Sequence, residues 1–408
     1  MFKLKNKVFT LIVCFFGFML FGNAHASSEV FFHSPAKEAV LLDFNSGAIL
    51  FEQEAHKLTA PSSMTKTMTI HMVFEALTRG IIDLDTKFYV SKKAWKQKGS
   101  RMFVEVGHDV SVEDLIQGTI VSSGNDSSIV LAEGLAGSEE SFAEQMTNKA
   151  KSLGAKNTVF LNSNGWPDLG HQSSVYDLAL IARATIRDFP KLYKKFYSQQ
   201  QYTYDNIKQY SQNKLLFQKR PSYVVDGLKT GHTSSGGFGL SFSAKKDDFR
   251  VVGVVNGLDS AKERIAAARN LLQWAFHTFS TKKIVTKGPV MQLPMKNGEK
   301  KSIPLVALKN YYYSFKTREA QYPLTEIQVI KDQAPIKAGE HIATLKVTGS
   351  LQPDLEIPLY AKDSIEEYSF VQKYYRKLLS LVVEPEEPTI EDLQSGFTKY
   401  LKNKIKKI

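Results

Sequence analysis

Apolar positions change their spacing along this chain, and the changes mark its elements. Residues 39–51 read as two strands turning at Asn45-Ser46-Gly47, which predicts a hairpin. Pro61 then introduces a helix that starts near Ser62 and Ser63 and runs to about Leu77. Ser111 with Asp114 makes a capping-box pair and opens a helix to about Val121. Ser122-Ser123-Gly124-Asn125 interrupts it, a second helix continues through Ala136, and a third covers about 138–153. Ser174 with Asp177 caps another over 178–188, with Pro190 as its stop.

From residue 224 the period becomes that of strands. Three are expected, at 224–230, 238–244 and 249–256, with Lys245-Lys246-Asp247-Asp248 turning between the last two. A helix over about 260–279 closes the region. Strands at both ends with helices between them argue for α+β architecture, an antiparallel sheet plus a helical block, and against a βαβ repeat. Short alternating runs follow at 301–308, 325–330, 340–348 and 355–360, with Lys337-Ala338-Gly339 among the turns; they predict a small all-β domain. Residues 364–383 return to helical spacing through Ile365, Tyr368, Val371, Tyr375, Leu378, Leu379 and Val382. A proline-bounded acidic linker at 384–388 precedes a second amphipathic segment at 389–408, whose lysines cluster toward its end.

Composition adds limits. The 408 residues are long enough for two domains, and 43% apolar with 23% charged residues excludes a disordered, collagenous or multi-span membrane protein. Lys3, Lys5 and Lys7 followed by the uncharged run 8–21 and Ala24-His25-Ala26 read as a secretory signal peptide spanning 1–26. The apolar run is short for a membrane span. Three of the lysines behind the net charge of +12 fall in that leader, and the remainder is still basic. Export turns that charge toward membrane or wall and argues against a nucleic-acid partner. The single cysteine, Cys14, lies in the leader, so no disulfide and no thiolate site is expected after it. The nine histidines show no metal-ligand spacing, and no metal or cofactor is expected.

The chemistry sits in three short motifs. Ser63-Met64-Thr65-Lys66 puts a hydroxyl and an amine one turn apart at a helix start. A serine needs a base to become a nucleophile, and a lysine is a base only where burial or a second cation disfavours its ammonium form. S-x-x-K also occurs at Ser34, Ser211, Ser243 and Ser280, so by itself it is weak. Ser123-Gly124-Asn125, alone a helix-breaking turn, offers a hydroxyl for proton relay and an amide for a substrate carbonyl. Lys229-Thr230-Gly231 ends an expected strand with a cation, a hydroxyl and a residue that lets backbone approach a ligand. The order S-x-x-K, S-x-N, K-T-G, each in a fitting context, is the signature of serine penicillin-binding proteins and β-lactamases.

Wider stretches agree with that signature: Pro61-Ser62-Ser63-Met64-Thr65-Lys66, Gly99-Ser100-Arg101-Met102-Phe103, Ser123-Gly124-Asn125-Asp126 and Val225-Asp226-Gly227-Leu228-Lys229-Thr230-Gly231-His232-Thr233. On them the chain resembles the low-molecular-mass D-alanyl-D-alanine carboxypeptidases of the penicillin-binding protein 5 type. The resemblance covers about 30–280 and continues more weakly through the β domain and 364–383. It implies a β-lactamase/transpeptidase-like catalytic domain at 27–282, a small β-sandwich domain at 283–363, and amphipathic C-terminal segments at 364–408 that hold an anionic membrane surface on the periplasmic side of the inner membrane. The segment 384–408 extends past the usual terminal helix of such proteins.

The resemblance also implies roles. Ser63 would attack the carbonyl between the two D-alanines of a peptidoglycan stem peptide and form an acyl-enzyme, with Lys66 as base. Ser123 would relay a proton and Asn125 would position substrate. Lys229, Thr230 and Gly231 would engage the terminal carboxylate, and the N–H groups of Ser63 and His232 would form the oxyanion hole. Arg264 falls where such enzymes can carry a carboxylate-binding arginine; an exposed arginine on the closing helix is the plainer alternative. Asp168, in the loop Asn164-Gly165-Trp166-Pro167-Asp168, reads as structural. β-Lactams would acylate the same serine. A β-lactamase and a non-catalytic wall-binding scaffold of the same fold are the rival readings.

Overall fold

The computed structural model describes residues 32–218, 222–317, 323–349, 351–379 and 395. The expected leader at 1–26 and the segment 389–408 therefore lie outside the described residues, Ser395 apart.

Six apolar and acidic residues, Glu38–Asp43, form β1, and β2 (Ile49–Gln53) returns alongside it, as the hairpin pattern requires. A 3-10 turn, Ser62–Thr65, leads into α1 (Lys66–Thr78). A ribbon of β3 (Lys87–Tyr89) and β4 (Asp109–Ser111) encloses the short α2 (Lys92–Lys96). The helical block follows as α3 (Val112–Val121), α4 (Asn125–Ala136), α5 (Glu139–Ser152), α6 (Val175–Asp188) and α7 (Pro190–Phe196). Ser111 and Ser174 each accept the backbone N–H three residues on, as read from sequence, and Ser138 caps α5 in the same way. The hairpin β5 (Gln201–Tyr204) and β6 (Ile207–Tyr210) precedes β7 (Val224–Thr233), β8 (Gly237–Lys246), β9 (Phe249–Leu258) and α8 (Ala261–Thr278).

These strands make one antiparallel sheet in the order β2-β1-β9-β8-β7. All six residues of β1 are buried. With a period of two, that means apolar cover on both faces. Val40, Leu42 and Val254 pack with Val175, Leu178 and Ala179 of α6, while Leu41, Val251 and Val255 are buried on the alternate positions. A second cluster, with Phe74, Leu115, Ile129, Phe196 and Leu228 among its members, joins α1, α3, α4 and α7 to β7.

The β domain begins without a break after α8. Strands β10 (Phe279–Val285), β11 (Gly288–Pro294), β12 (Ser302–Ala307), β13 (Tyr311–Lys316), β14 (Leu324–Val329), β15 (His341–Thr348) and β16 (Leu355–Ala361) form a five-stranded sheet in the order β11-β12-β16-β15-β14 and a β10–β13 ribbon. One core, including Ile284, Leu305, Tyr313, Leu345 and Ile357, unites them. The architecture is thus an α+β domain, one antiparallel sheet with a helical block, followed by an all-β domain. Asp43 at the end of β1 reaches across: its buried carboxylate accepts from Asn45 N, Ser46 N and, at 3.0 Å, Ser314 Oγ of β13. Helix α9 (Phe370–Leu379) lies within the expected 364–383.

Three expectations need adjustment. Helix α6 ends at Asp188, ahead of Pro190, but Pro190 also opens α7, where a residue without an N–H costs nothing. The helix expected from Ser62 starts at Lys66, and Ser63 lies on the preceding 3-10 turn. The strand 224–230 extends to Thr233, through the whole K-T-G motif.

Candidate active site

Pro61 and a left-handed Ser62 (φ +50°) bend the chain sharply before α1, and the Ser62 hydroxyl is 2.9 Å from the Thr233 hydroxyl on β7. Strand and turn come close together. A Cβ on Gly231 would sit 3.1 Å from Ser62 Cβ and 3.2 Å from the Pro61 carbonyl oxygen. The glycine of K-T-G is therefore what lets the strand approach the nucleophile turn.

Lys66, 1% exposed, has its Nζ 3.0 Å from Ser63 Oγ, 2.7 Å from Asn125 Oδ1 and 2.5 Å from the Asn164 carbonyl oxygen. Two of these neighbours only accept. A neutral amine would spend its two N–H bonds on them and keep its lone pair for the Ser63 hydroxyl. Burial pushes the Lys66 amine well below its ordinary range, and the Lys229 cation pushes it further; Asp126 and Glu139 pull the other way. Lys229, 2% exposed, donates to Ser123 Oγ at 2.7 Å and to the Thr230 carbonyl at 3.1 Å. Burial and then the nearby Arg264 lower it to about 7.

Ser123 holds a left-handed backbone (φ +61°) in the break between α3 and α4, an uncommon state for a residue with a side chain. Asn125 Nδ2 donates to the Lys98 carbonyl and Asn125 N to the Ser100 carbonyl, both at 2.8 Å. Next to it, the Asp126 carboxylate accepts from Met102 N, Phe103 N and Val104 N. One turn of α4 thus fixes the 98–104 loop along the cleft.

Arg264 on α8 is 6% exposed, not the surface arginine of the plainer reading. Its Nη1 donates to the carbonyls of Gly231 (3.1 Å) and Gly239 (3.3 Å). No carboxylate among the described residues pairs with it, and burial lowers it to about 10. The His232 ring is exposed and stacks on Phe238 with centroids 3.9 Å apart.

The structure thus brings Ser63, Lys66, Ser123, Asn125, Lys229, Thr230, Gly231, His232 and Arg264 to one cleft of about 550 Å³, with Trp166 on its rim. A larger groove of about 980 Å³ between the β8–β9 turn and β10 holds none of them. Asp168, read as structural, is exposed, and its carbonyl accepts from His171 N. Sequence reasoning passed over Asn164 and Asp126 as site residues. Asn164 acts through its main-chain carbonyl and Asp126 on main-chain N–H groups, and such contacts leave no side-chain signature. The cleft combines a hydroxyl, an adjacent buried amine whose ammonium form is disfavoured, and a cationic end.

A family model described as D-alanyl-D-alanine carboxypeptidase matches residues 24–260, and one described as penicillin-binding protein 5, C-terminal domain, matches 279–367. The chain is 33% identical over 343 residues to D-alanyl-D-alanine carboxypeptidase DacF of Bacillus subtilis, covering 82% of this chain and 87% of that one. Penicillin binding protein 5 from Haemophilus influenzae has a similar structure, with a TM-score of 0.76, 33% identity, and coverage of 82% of this chain and 98% of that one. Penicillin-binding protein D2 from Listeria monocytogenes, solved with ampicillin bound, is similar over 60% of this chain and 98% of its own, with a TM-score of 0.54 and 27% identity.

Proposed function

The chain belongs to the D-alanyl-D-alanine carboxypeptidase family and is a serine-type enzyme of that kind, and from that premise we propose that Ser63 is its nucleophile and Lys66 its general base. The observation that carries this is the 3.0 Å approach of a buried, neutral-leaning amine to a hydroxyl, with a second cation behind it.

In this reading the stem peptide lies along β7 with its terminal carboxylate toward Lys229, Thr230 and Arg264. Lys66 takes the Ser63 proton as Oγ attacks the carbonyl between the two D-alanines. The N–H groups of Ser63 and His232 hold the oxyanion. The C–N bond then breaks. The departing D-alanine amine receives, through the Ser123 hydroxyl held by Lys229, the proton that Lys66 took, so Lys66 is neutral again. Asn125 orients the acyl part of the substrate while it accepts from Lys66. Water, deprotonated by Lys66, attacks the ester, and Ser63 regains its proton. A β-lactam enters the same sequence, but its leaving nitrogen stays tethered to the acyl group.

The proposal extends to the layout: leader 1–26, catalytic domain 27–282, β domain 283–363 and an amphipathic end at 364–408 that meets an anionic membrane surface from the periplasmic side. The exposed Phe370, Val371, Tyr374 and Tyr375 of α9 support that last reading. Among the described residues no helix is long and apolar enough to cross a membrane.

Two measurements test the chemistry. Wild type should release D-alanine from diacetyl-Lys-D-Ala-D-Ala and gain the mass of one benzylpenicillin, and Ser63→Ala should do neither. Release by Ser63→Ala, or an unchanged mass in wild type, would sink the assignment.

A further inference from the structure

Lys66 owes one of its two acceptors, the Asn164 carbonyl, to a loop with no secondary structure of its own. That loop is held from α5. Glu139, in the first turn of α5 and 6% exposed, accepts through Oε1 from Ser163 N (3.0 Å), Ser163 Oγ (2.7 Å) and Asn164 Nδ2 (3.3 Å). Its Oε2 lies 3.0 Å from Lys93 Nζ of α2. The loop is seated from its other side too: Thr69 Oγ1 of α1 donates to the Ser163 carbonyl, and Asn164 Oδ1 accepts from Trp166 N at 2.7 Å. Ser163 and Asn164 are both buried.

One carboxylate oxygen with three donors from two consecutive residues is more than a surface ion pair needs. It fixes the peptide between Ser163 and Gly165 and so aims the Asn164 carbonyl at Lys66. We propose that Glu139 is a positioning residue for the catalytic amine, acting through Asn164: it fixes where Lys66 stands against Ser63 and supplies a buried negative charge that faces it. The proposal rests on the reading of Lys66 as the base.

The charge balance supports the role. The charged and titratable groups facing Lys66 are Lys229 from β7, Asp126 from α4, Glu139 from α5 and His171 before α6. Those facing Glu139 are Lys93, Glu133, Glu140 and Lys66. Glu139 and Asp126 are thus the two negative groups that limit how far burial and Lys229 depress the amine. Without Glu139 the amine loses protons more readily.

The test is a titration of Lys66 by NMR of [13Cε]lysine-labelled full-length protein, its resonance assigned by its absence in Lys66→Arg. Acylation rates with a fluorescent penicillin are measured on the same samples. In Glu139→Gln the Lys66 midpoint should move to lower pH, since the charge is gone. Its acylation rate should stay within about threefold of wild type, because the amide oxygen still accepts from Ser163. Glu139→Ala should show the same downward movement with an acylation rate about tenfold or more lower, because the loop is released. If Glu139→Ala does not fold, the midpoint in Glu139→Gln decides. A midpoint unmoved in Glu139→Gln, or Glu139→Ala acylating as fast as wild type, overturns the proposal. Wild type that fails to acylate while the midpoint still moves removes the catalytic reading and leaves the Glu139–Lys66 coupling standing.

Discussion

Two lysine amines within one buried cleft divide their work by environment. Lys66 sits among acceptors with a hydroxyl at its lone pair, and Lys229 among a hydroxyl, a carbonyl and the Arg264 charge. If Lys66 is the base and Lys229 holds the substrate carboxylate, the acid limb of kcat/KM belongs to Lys66 and the alkaline limb to Lys229. Lys229 stands near 7, so kcat/KM for a D-Ala-D-Ala peptide should fall as pH rises through about 7. Arg264 is part of what depresses Lys229. Its removal raises Lys229, so in Arg264→Gln the alkaline limb should move to higher pH while the whole profile drops. Stopped-flow measurement from pH 5 to 9 checks this, and a profile flat between pH 7 and 8.5 would refute it. The S-x-x-K, S-x-N and K-T-G triplet was readable because side chains carry it. The Asn164 carbonyl was not, because it is a backbone atom, nor the Glu139 carboxylate, because its donors lie on a loop 24 and 25 residues away with no motif of its own.

At the level of elements, the site depends on backbone fitting against backbone. Gly165 holds φ +81°, and a Cβ there would lie 1.9 Å from the Ser62 carbonyl oxygen. Gly165→Ala must displace either the nucleophile turn or the loop that carries the Asn164 carbonyl. We expect a loss of about 3 kcal/mol in stability and an acylation rate down by more than tenfold. Chemical denaturation and stopped-flow acylation report the two; a variant within twofold of wild type in both would refute the account. The same scale explains which elements the sequence could reveal. The capped helices α3 and α6 and the apolar strands β1, β7, β8 and β9 announced themselves through serine caps and alternation. The β5–β6 hairpin did not, because Asp205 and Asn206 make its turn with positive φ (45° and 61°) where no glycine stands. Strands β10 and β13, Phe-Ser-Thr-Lys-Lys-Ile-Val and Tyr-Tyr-Tyr-Ser-Phe-Lys, pair with each other and are too polar or too aromatic to alternate cleanly. Helix α7 was hidden because proline reads both as a stop and as a start.

Across the whole molecule, a catalytic sheet, an all-β domain and an exposed aromatic helix follow in chain order, and the family assignment fits that order. If the aromatic face of α9 and the basic segment at 389–408 hold the enzyme at a lipid surface, binding should need anionic lipid and weaken with salt. Deletion of 389–408 should then release the protein from phosphatidylglycerol vesicles in a sedimentation assay, with D-alanine release from a soluble peptide unchanged. Undiminished binding would assign the contact to 364–383. The sheet itself has a consequence for how the enzyme comes into being. Its β1 lies beside β9, so that Asn256 bonds Glu38 across 218 positions, and Asp43 finds Ser314 across 271. A polypeptide delivered amino end first therefore presents its serine early and its partners late. Until β9 has emerged, β1 has only β2 beside it, the K-T-G strand has only β8, and nothing joins the two pairs into one sheet. The sheet that carries the site is closed by long-range pairing rather than by any local element.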